Sequence, residues 1–372
     1  MAGVHCATAR REQVFEVVLL NLFDYERAAA ECLAEPALGY LTGGANDEVT
    51  LRANREAFDT ITIRYRTMID VSTRDLSTSV MGTRIAWPVL IAPTAMQRLA
   101  HPDGECATAR AASRLETIMI VSTTATVGLA DVRAATKSPM WFQSYIYRDR
   151  GVTGALLERA RDVGYQAIVL TVDAPMLGRR ERDVRHGFHL PDGLKLPNAE
   201  MAGEGELPET SGDSSLARHL ARTHDAALTP KDISWMRELT GLPVIVKGIV
   251  RGDDAKRAMD QGAAAIVVSN HGGRQLDTAI AGIRALPEVV EAVSDRGEVY
   301  VDGGVRRGTD VVKAIALGAR AVLLGRPILW GLAVNGEQGV VDVLSLLRDE
   351  IDLAMCLCGC RDISEITRDL IA

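Results

Sequence analysis

The chain has no excess of basic residues: its 372 residues include 42 Lys and Arg against 49 Asp and Glu, for a formal net charge of −7. Nucleic acids and anionic membrane surfaces select basic proteins, so neither is the expected partner. The apolar stretch VVLLNLF near the N-terminus is too short to span a bilayer and is interrupted by Asn21. These absences favour a small-molecule partner, no membrane partner and a cytoplasmic location.

Cysteine is scarce, and no second cluster of ligands accompanies the cysteines that do occur. The six are Cys6, Cys32, Cys106, Cys356, Cys358 and Cys360. Such sparse use in a long chain predicts free thiols in a reducing compartment. The C-x-C-x-C spacing at 356–360 is of a kind that can bind metal, but it lies at the end of an amphipathic helical pattern. We therefore predict no metal site.

Eight apolar runs of strand length are spread along the chain, with helical patterns between them. They lie at 87–93, 118–123, 140–146, 167–173, 243–249, 264–270, 298–304 and 321–326. The runs are continuous rather than alternating, which is typical of parallel strands buried on both faces. Eight strands alternating with helices predict an α/β fold, a (β/α)8 TIM barrel, and a doubly wound open sheet is the alternative.

Two segments lie outside this strand–helix pattern. Residues 1–60 precede the first barrel strand and have a helical pattern, so they are predicted to form an N-terminal helical extension. It would pack on a barrel of residues 61–372, the whole being a single domain. The long gap after the fourth strand is polar and glycine-rich in its middle, and residues 185–230 are predicted to be a mobile loop or lid.

The carboxyl ends of the strands of a barrel meet at one mouth, where barrel enzymes place their active sites. Nearly every predicted strand ends in polar or ionisable residues. These strand-end residues are Pro93, Thr94, Ala95, Ser122, Thr123, Thr124, Gln143, Tyr145, Thr171, Asp173, Lys247, Ser269, His271, Arg274, Asp302, Gly303, Gly304, Arg306, Gly325 and Arg326. A purely structural barrel does not need so many polar groups at one face, so they predict a functional site.

The last two strands end in the glycine-rich sequences DGGVRRG and GRP, each followed by the start of a helix. Glycines let backbone N–H groups approach a phosphate, and Arg306 and Arg326 supply positive charge. A phosphorylated ligand is therefore predicted at this end of the barrel. The alternative is a pair of tight turns with solvated arginines.

Three strand-end side chains allow several roles when each is considered alone. Lys247 is suited to facing an anionic ring, to forming a Schiff base or to pairing with an acid. A strand-end Asp173 is more often a helix cap or an ion-pair partner than a catalytic group. His271, in SNHGGRQLD, has the properties of a base, a metal ligand or a polar loop residue.

Six motifs together resemble one family: SNHGGRQLD, DGGVRRGTDVVKAIALGA, GRP, APTAMQRLAHPDGE, LTVDAPMLGRRERD and LPVIVKGI. In sequence and order they are similar to the FMN-dependent L-2-hydroxy acid oxidases and dehydrogenases, the family of glycolate oxidase, lactate oxidase and hydroxymandelate oxidase. The resemblance runs from about residue 22 to the C-terminus. It implies FMN as cofactor, and a small 2-hydroxy acid and O2 as the molecules that the enzyme acts on.

The resemblance also implies roles for individual residues. His271 would be the base, and Asp173 would stabilise the imidazolium that it forms. Arg274, with Arg180 and Tyr40, would hold the substrate carboxylate. Tyr145 would bond to the substrate hydroxyl, and Lys247 would stabilise the reduced flavin ring. The residues implied to contact FMN are Pro93, Thr94, Ala95, Ser122, Gln143, Thr171, Lys247, Ser269, Asp302, Gly303, Gly304, Arg306, Gly325 and Arg326.

Departures from the family pattern bear on the substrate and on the electron acceptor. Thr124 stands where glycolate oxidases carry a tryptophan, so a wider pocket is expected, with Leu177 and Met96 lining the same space. The substrate is then expected to be larger than glycolate: lactate, a longer aliphatic acid or a mandelate-like acid. Ala95 resembles the residue of the oxidases, which favours O2 as acceptor and H2O2 as product.

The resemblance leaves other activities open. They are an FMN-dependent dehydrogenase with another acceptor, a lactate monooxygenase, an isomerase and a flavin-binding regulatory protein without turnover. The combination of His271, Arg274 and Tyr145 argues against an isomerase, and the full set of catalytic residue types argues against a regulatory protein. Members of the family are usually tetramers or octamers, so a homotetramer or homo-octamer is expected.

Overall fold

The computed structural model describes residues 18–200 and 222–372, and eight of its strands form a closed parallel barrel. In chain order the strands are β1 (Thr78–Val80), β2 (Thr83–Ile85), β3 (Val89–Ile91), β4 (Met119–Val121), β5 (Met140–Ser144), β6 (Ile168–Thr171), β7 (Val244–Ile249), β8 (Ala265–Val268), β9 (Glu298–Asp302) and β10 (Ala321–Leu324). Strands β3 to β10 follow one another around the barrel, and the pairing of Val322 with Val89 closes it. The predicted (β/α)8 barrel is confirmed, and the open sheet is wrong.

Helices precede the barrel and lie between its strands. Those of the described chain are α1 (Leu22–Cys32), α2 (Glu35–Thr42), α3 (Val49–Asp59), α4 (Gly104–Arg114), α5 (Leu129–Ala134), α6 (Arg150–Asp162), α7 (Glu181–Arg185), α8 (Pro197–Glu200), α9 (Lys231–Thr240), α10 (Gly252–Asp260), α11 (Gly282–Val293), α12 (Gly308–Ala316) and α13 (Arg326–Cys358). Each predicted apolar run contains one barrel strand. The runs extend past the strands because their last residues belong to the loops at the mouth.

The inside of the barrel is filled by side chains rather than left as a pore. Successive strand residues point to opposite faces, so Leu90 lies in a different apolar cluster from Val89 and Ile91. Trp141 and Tyr300 are the largest side chains of the inner cluster, with ring centroids 5.9 Å apart. The wall around the site is therefore rigid.

A hairpin that the sequence analysis did not predict joins this inner cluster. Strands β1 and β2 pair antiparallel and contribute Val80 and Ile85 to it. The backbone N–H of Met81, in the turn, donates to Glu298 Oε2 at 3.1 Å. Strands of three residues leave little periodic signal, which is why the hairpin was missed.

The N-terminal helices lie in the range predicted to be a helical extension, although residues 1–17 are outside the described residues and the division at residue 60 stays a prediction. Asn21 caps α1, its Oδ1 accepting from Phe23 N at 2.9 Å and from Asp24 N at 3.2 Å. Helix α1 packs on α13. Helix α3 lies against the loops that follow β8 and β9, because its first N–H groups donate to Asp277.

The long connection after β6 is described on both sides of residues 201–221, which lie outside the described residues. On one side Phe188 is buried and stacks on Tyr40, with centroids 4.4 Å apart. On the other, His224 forms an antiparallel bridge with Tyr147. Both sides thus pack at the mouth of the barrel, while the mobility predicted for 185–230 stays a prediction.

Among residues 18–200 and 222–372, no helix has both the length and the apolar character needed to cross a membrane. In that part of the chain no three His, Cys, Asp or Glu side chains are grouped so as to hold a metal ion. Cys358 and Cys360, from the C-x-C-x-C sequence, are buried at the end of α13.

Candidate active site

A cleft with an empty volume of about 1110 Å³ opens at the carboxyl ends of the barrel strands. That volume includes space open to solvent at the mouth of the cleft. The predicted residues that line it are Tyr40, Pro93, Thr94, Ala95, Ser122, Thr124, Gln143, Tyr145, Thr171, Arg180, Lys247, His271, Arg274, Asp302, Gly303, Gly304, Arg306, Gly325 and Arg326. Three strand-end residues lie behind it: Asp173 and Ser269, bonded to His271 and Lys247, and Thr123, which is buried and donates to the carbonyl of Gln143.

His271 and Asp173 form a hydrogen-bonded pair, with Nδ1 of the histidine 2.8 Å from Oδ1 of the aspartate. A carboxylate only accepts, so Nδ1 carries the hydrogen and Nε2 keeps its lone pair. Burial lowers the pKa of His271, and Asp173 opposes this only in part. Burial alone would raise the pKa of Asp173, but the facing histidine holds it below its usual value. At neutral pH the pair is a carboxylate behind a neutral imidazole, which is the state of a base.

The two glycines after His271 are needed because the loop is tightly packed on both sides. Gly272 and Gly273 have φ of 64° and 75°, in the left-handed region that favours glycine. A Cβ on Gly273 would lie 2.6 Å from the backbone N of Leu51, and one on Gly272 would lie 2.9 Å from Arg326 Nη1. The loop thereby places His271 and Arg274 on the same cleft.

Arg274 and Arg180 bring two positive charges together beside Tyr40. The Arg274 guanidinium lies 5.1 Å from the centre of the Tyr40 ring, and that of Arg180 lies 5.8 Å from it. Arg274 Nη1 donates to the carbonyl of Gly43 at 2.7 Å. Burial, together with the like charge of Arg180, lowers the pKa of Arg274 to about 10. Two cations at this spacing stabilise an anion placed between them.

Two residues near this pair were missed by the sequence analysis. Asp183, on α7, is buried, and neither of its carboxylate oxygens has a hydrogen-bond partner among the described residues. Burial raises its pKa, and Arg274 and Arg180 oppose the rise. His224 stacks on the ring of Tyr145, with centroids 4.6 Å apart. No local pattern marks either residue, because Arg274 and Tyr145, which they lie close to, are distant from them in the chain.

Lys247 lies in a buried ion pair that decides between its possible roles. Its Nζ lies 3.0 Å from Asp302 Oδ2 and donates to Ser269 Oγ at 2.9 Å. Burial lowers the pKa of a lysine, but here Asp302 and Asp173 outweigh it and the pKa is raised. Lys247 is therefore a cation, so a Schiff base, which needs a neutral amine, is excluded.

Arg306 and Arg326 are not solvated arginines of tight turns. Arg326 donates to the carbonyls of Gly272 at 3.0 Å and Gly43 at 2.9 Å, and Arg306 lies over the Trp330 ring at 4.6 Å. Burial lowers the pKa of Arg306 to about 10, and it lowers that of Arg326 well below its usual value, with further lowering by Arg274. Buried cations of this kind are stabilised by an anionic ligand.

The donors and acceptors that remain open in the cleft fit FMN, the cofactor implied by the resemblance. The buried atoms without a hydrogen-bond partner among the described residues include Gln143 Nε2, Asp302 Oδ1 and Arg326 Nε. A flavin ring, a ribityl chain and a phosphate supply complementary groups for an amide, a carboxylate and a guanidinium. Gly303 and Gly304, with φ of 87° and 88° in the left-handed region that favours glycine, line the cleft beside Arg306.

The prediction that Met96 lines the substrate pocket is wrong. Leu177 and Thr124 line the cleft, but Met96 does not. Its φ of 54° turns the side chain away, and it packs in the cluster of Tyr40 and Phe188. Its backbone N donates to Thr124 O at 3.2 Å, so it supports the pocket from behind.

The chain is similar to known proteins over most of its length. The chain matches the family model described as FMN-dependent dehydrogenase over residues 29–372. It is 51% identical to L-lactate oxidase of Nostoc sp. over 93% of this chain and 96% of that protein. It is 50% identical to glycolate oxidase 3 of Arabidopsis thaliana over 94% and 95% of the two chains.

A solved structure of mandelate oxidase with (S)-4-hydroxymandelic acid is also similar to the whole chain. The two share 44% identity and superpose with a TM-score of 0.91, covering 95% of this chain and 98% of that one. With the family model matching residues 29–372, the chain belongs to the FMN-dependent dehydrogenases and is an enzyme whose cofactor is FMN.

Proposed function

We propose that the protein oxidises an L-2-hydroxy acid to the 2-oxo acid and passes the two electrons through FMN to O2, which is reduced to H2O2. The balance is one hydroxy acid and one O2 consumed for one oxo acid and one H2O2. When bound, FMN supplies the acceptor for the two electrons that leave the substrate. The observation that supports this most is the neutral His271, backed by Asp173, on the same cleft as the Arg274–Arg180 pair.

The substrate carboxylate would bind to Arg274 and Arg180. Both guanidinium groups are partly buried and so are less hydrated than exposed arginines. They therefore bind a carboxylate more strongly than exposed arginines would. The planar guanidinium of Arg274 suits two parallel bonds to a carboxylate, and Tyr40, which lies below both guanidinium groups, offers a third donor. Binding the carboxylate here fixes which side of the α-carbon faces His271.

His271 would then take a proton from the substrate at Nε2. The imidazolium that forms is stabilised by Asp173, which already accepts from Nδ1. Tyr145 stays protonated, because burial and then the negative charge of Asp173 raise its pKa, so it donates to the substrate hydroxyl. Lys247 remains a cation in its pair with Asp302 and would stabilise negative charge on the cofactor side of the cleft.

The cofactor would be held by three groups of residues. Arg306, Arg326, Gly303 and Gly304 would hold the phosphate, a role supported by the charge of the two arginines. Gln143, Asp302 and Ser269 would contact the middle of the cofactor, and Gln143 Nε2 and Asp302 Oδ1 have no hydrogen-bond partner among the described residues. The residues proposed to contact the remaining parts of FMN are Pro93, Thr94, Ala95, Ser122, Thr171, Lys247 and Gly325.

The preferred substrate is proposed to be larger than glycolate. Thr124 is short, its Oγ1 lies 3.1 Å from Ser122 Oγ, and the space above it belongs to the cleft. A relative of known structure binds (S)-4-hydroxymandelic acid. We further propose that the enzyme is a cytoplasmic homotetramer or homo-octamer.

Purified, FMN-loaded protein is expected to be bleached anaerobically by L-2-hydroxy acids, with lactate, longer aliphatic or mandelate-like acids faster than glycolate. In air it should yield one H2O2 per 2-oxo acid. The T124W variant is the matched test of size: we expect it to favour glycolate by about 10- to 200-fold relative to wild type, the range for filling a pocket. Bleaching by none of these acids would overturn the proposal, and a decarboxylated acid as product would indicate a monooxygenase.

In a plot of the rate of flavin reduction against pH, we expect the D173N variant to lose activity on the acid side at a lower pH than the wild type. In the wild type, burial lowers the pKa of His271 and Asp173 raises it, so removing the carboxylate lets the pKa fall further. The plateau rate should also fall, because the imidazolium loses its stabilising charge. Anaerobic stopped-flow measurements across pH test both effects, and a shift of this acid-side loss to higher pH would contradict the assignment.

A further inference from the structure

Asn54, on α3, is a buried polar residue without a role in the proposed chemistry. Its side chain exchanges two hydrogen bonds with that of Asn270: Asn54 Nδ2 donates to Asn270 Oδ1 at 2.9 Å, and Asn270 Nδ2 donates back to Asn54 Oδ1 at 2.8 Å. Both residues are at least nine-tenths buried. Each bond is therefore formed away from water, where an unpaired amide is costly.

The orientation of Asn270 is fixed by bonds across its own loop. Its Oδ1 also accepts from Gly273 N at 3.1 Å, and its Nδ2 donates to the carbonyl of Ile280 at 2.9 Å. Asn270 thus ties together the two ends of the loop that carries His271 and Arg274. If the Asn54 amide were flipped, its Nδ2 would face Nδ2 of Asn270, a donor against a donor. Asn54 is therefore held in one orientation.

The other side of Asn54 faces the loop proposed to hold phosphate. A Cβ on Gly303 would lie 3.3 Å from Asn54 Nδ2, and one on Gly304 would lie 2.0 Å from Asn54 O. The next residue, Arg55, donates to the carbonyl of Gly304 at 2.8 Å. The same turn of α3 is therefore packed against the backbone of the phosphate loop.

The start of α3 is also fixed to the loop that carries the base. Asp277 accepts from the backbone N of Thr50 at 2.8 Å and of Val49 at 3.3 Å. Capping by this carboxylate stabilises the N-terminus of the helix. Asn54 then lies about one turn further on, at the point where α3 touches both loops.

We propose that Asn54 is a positioning residue, which holds the His271 loop and the Gly303–Gly304 loop in fixed relation so that FMN binding and placement of the base depend on one side chain. It acts through Asn270 on one side and through its contact with the glycines on the other. The part that concerns the base rests on the proposed function, whereas the part that concerns FMN does not.

The test compares wild type with N54L, a neutral side chain of similar size that removes both amide bonds. The first measurement is the affinity of the apoprotein for FMN, from quenching of flavin fluorescence. The second is the limiting rate of flavin reduction by the best 2-hydroxy acid, per bound FMN, with both saturating. The third is thermal unfolding of the apoprotein. E56Q, an exposed position on the same helix, is the control.

We expect N54L to bind FMN about tenfold more weakly and to be reduced about tenfold more slowly, since unpaired buried amides displace the loops. E56Q should match the wild type in both. A lowered unfolding temperature with unchanged affinity and unchanged limiting rate would show a merely structural role and overturn the proposal.

If N54L does not fold, the same measurements are made on N54S, because serine is too short to reach Asn270 and adds no volume. If no 2-hydroxy acid reduces the wild type, the proposed function fails, and the positioning role is then decided by FMN affinity alone. In that case wild-type affinity in the variant overturns the inference and weakened affinity supports it.

Discussion

The H271Q variant is expected to reduce its bound FMN about 10²- to 10⁴-fold more slowly than the wild type, the usual contribution of a positioned general base. Glutamine has no atom that takes up a proton at neutral pH. It does keep a side-chain N–H that can donate to Asp173, so the buried carboxylate stays paired and the loop should keep its place. The measurement is anaerobic stopped-flow flavin bleaching at saturating substrate.

A matched histidine provides the control for this prediction. His189 is exposed and lies on the connection after β6, where its ring contacts a backbone carbonyl. H189Q should bleach at the wild-type rate. FMN content should be the same in all three proteins. Bleaching of H271Q at the wild-type rate would show that another group removes the proton.

The K247M variant is expected to lose about 3–5 kcal/mol of free energy of unfolding, measured by urea denaturation of the apoprotein. Methionine matches the length of lysine but leaves Asp302 as a buried carboxylate without its cation, and this is the costly half of breaking a buried ion pair. The variant should also retain FMN poorly, because an unpaired carboxylate then lines the cleft.

Two comparisons separate the charge effect from a packing effect. K247M/D302N removes the unpaired carboxylate together with the lysine and should recover most of the lost stability. K256M breaks an exposed pair with Asp260 and should cost far less stability than K247M. Equal unfolding free energies for K247M and the wild type would contradict the buried pair.

Much of this enzyme could be predicted from sequence because its signals are local. A parallel strand buried on both faces needs a continuous apolar run, and each of the eight runs contains one barrel strand. The polar residues that follow each run then meet at one mouth by the geometry of the barrel. Nineteen of the strand-end and family-implied residues line the cleft, and Asp173 and Ser269 support it from behind.

The wrong prediction and the missed features concern residues whose position depends on tertiary contacts rather than on a local sequence pattern. Met96 follows Ala95 directly, yet its positive φ places it behind the cleft rather than in it. The hairpin of β1 and β2 was too short to be recognised, although it joins the inner cluster of the barrel. His224 and Asp183 carry no motif of their own and matter only for what they lie against.

The sequence by itself determined the order of strands, the ionisable groups at their ends and the family to which the chain belongs. Only the tertiary structure decided their states: that Lys247 is a paired cation, that burial lowers the pKa of His271, and that Arg326 lies partly buried beside Arg274. It alone showed that Asn54 joins a partner 216 residues away. The reason is physical, because burial and through-space charge set these properties and both depend on neighbours brought together only by folding.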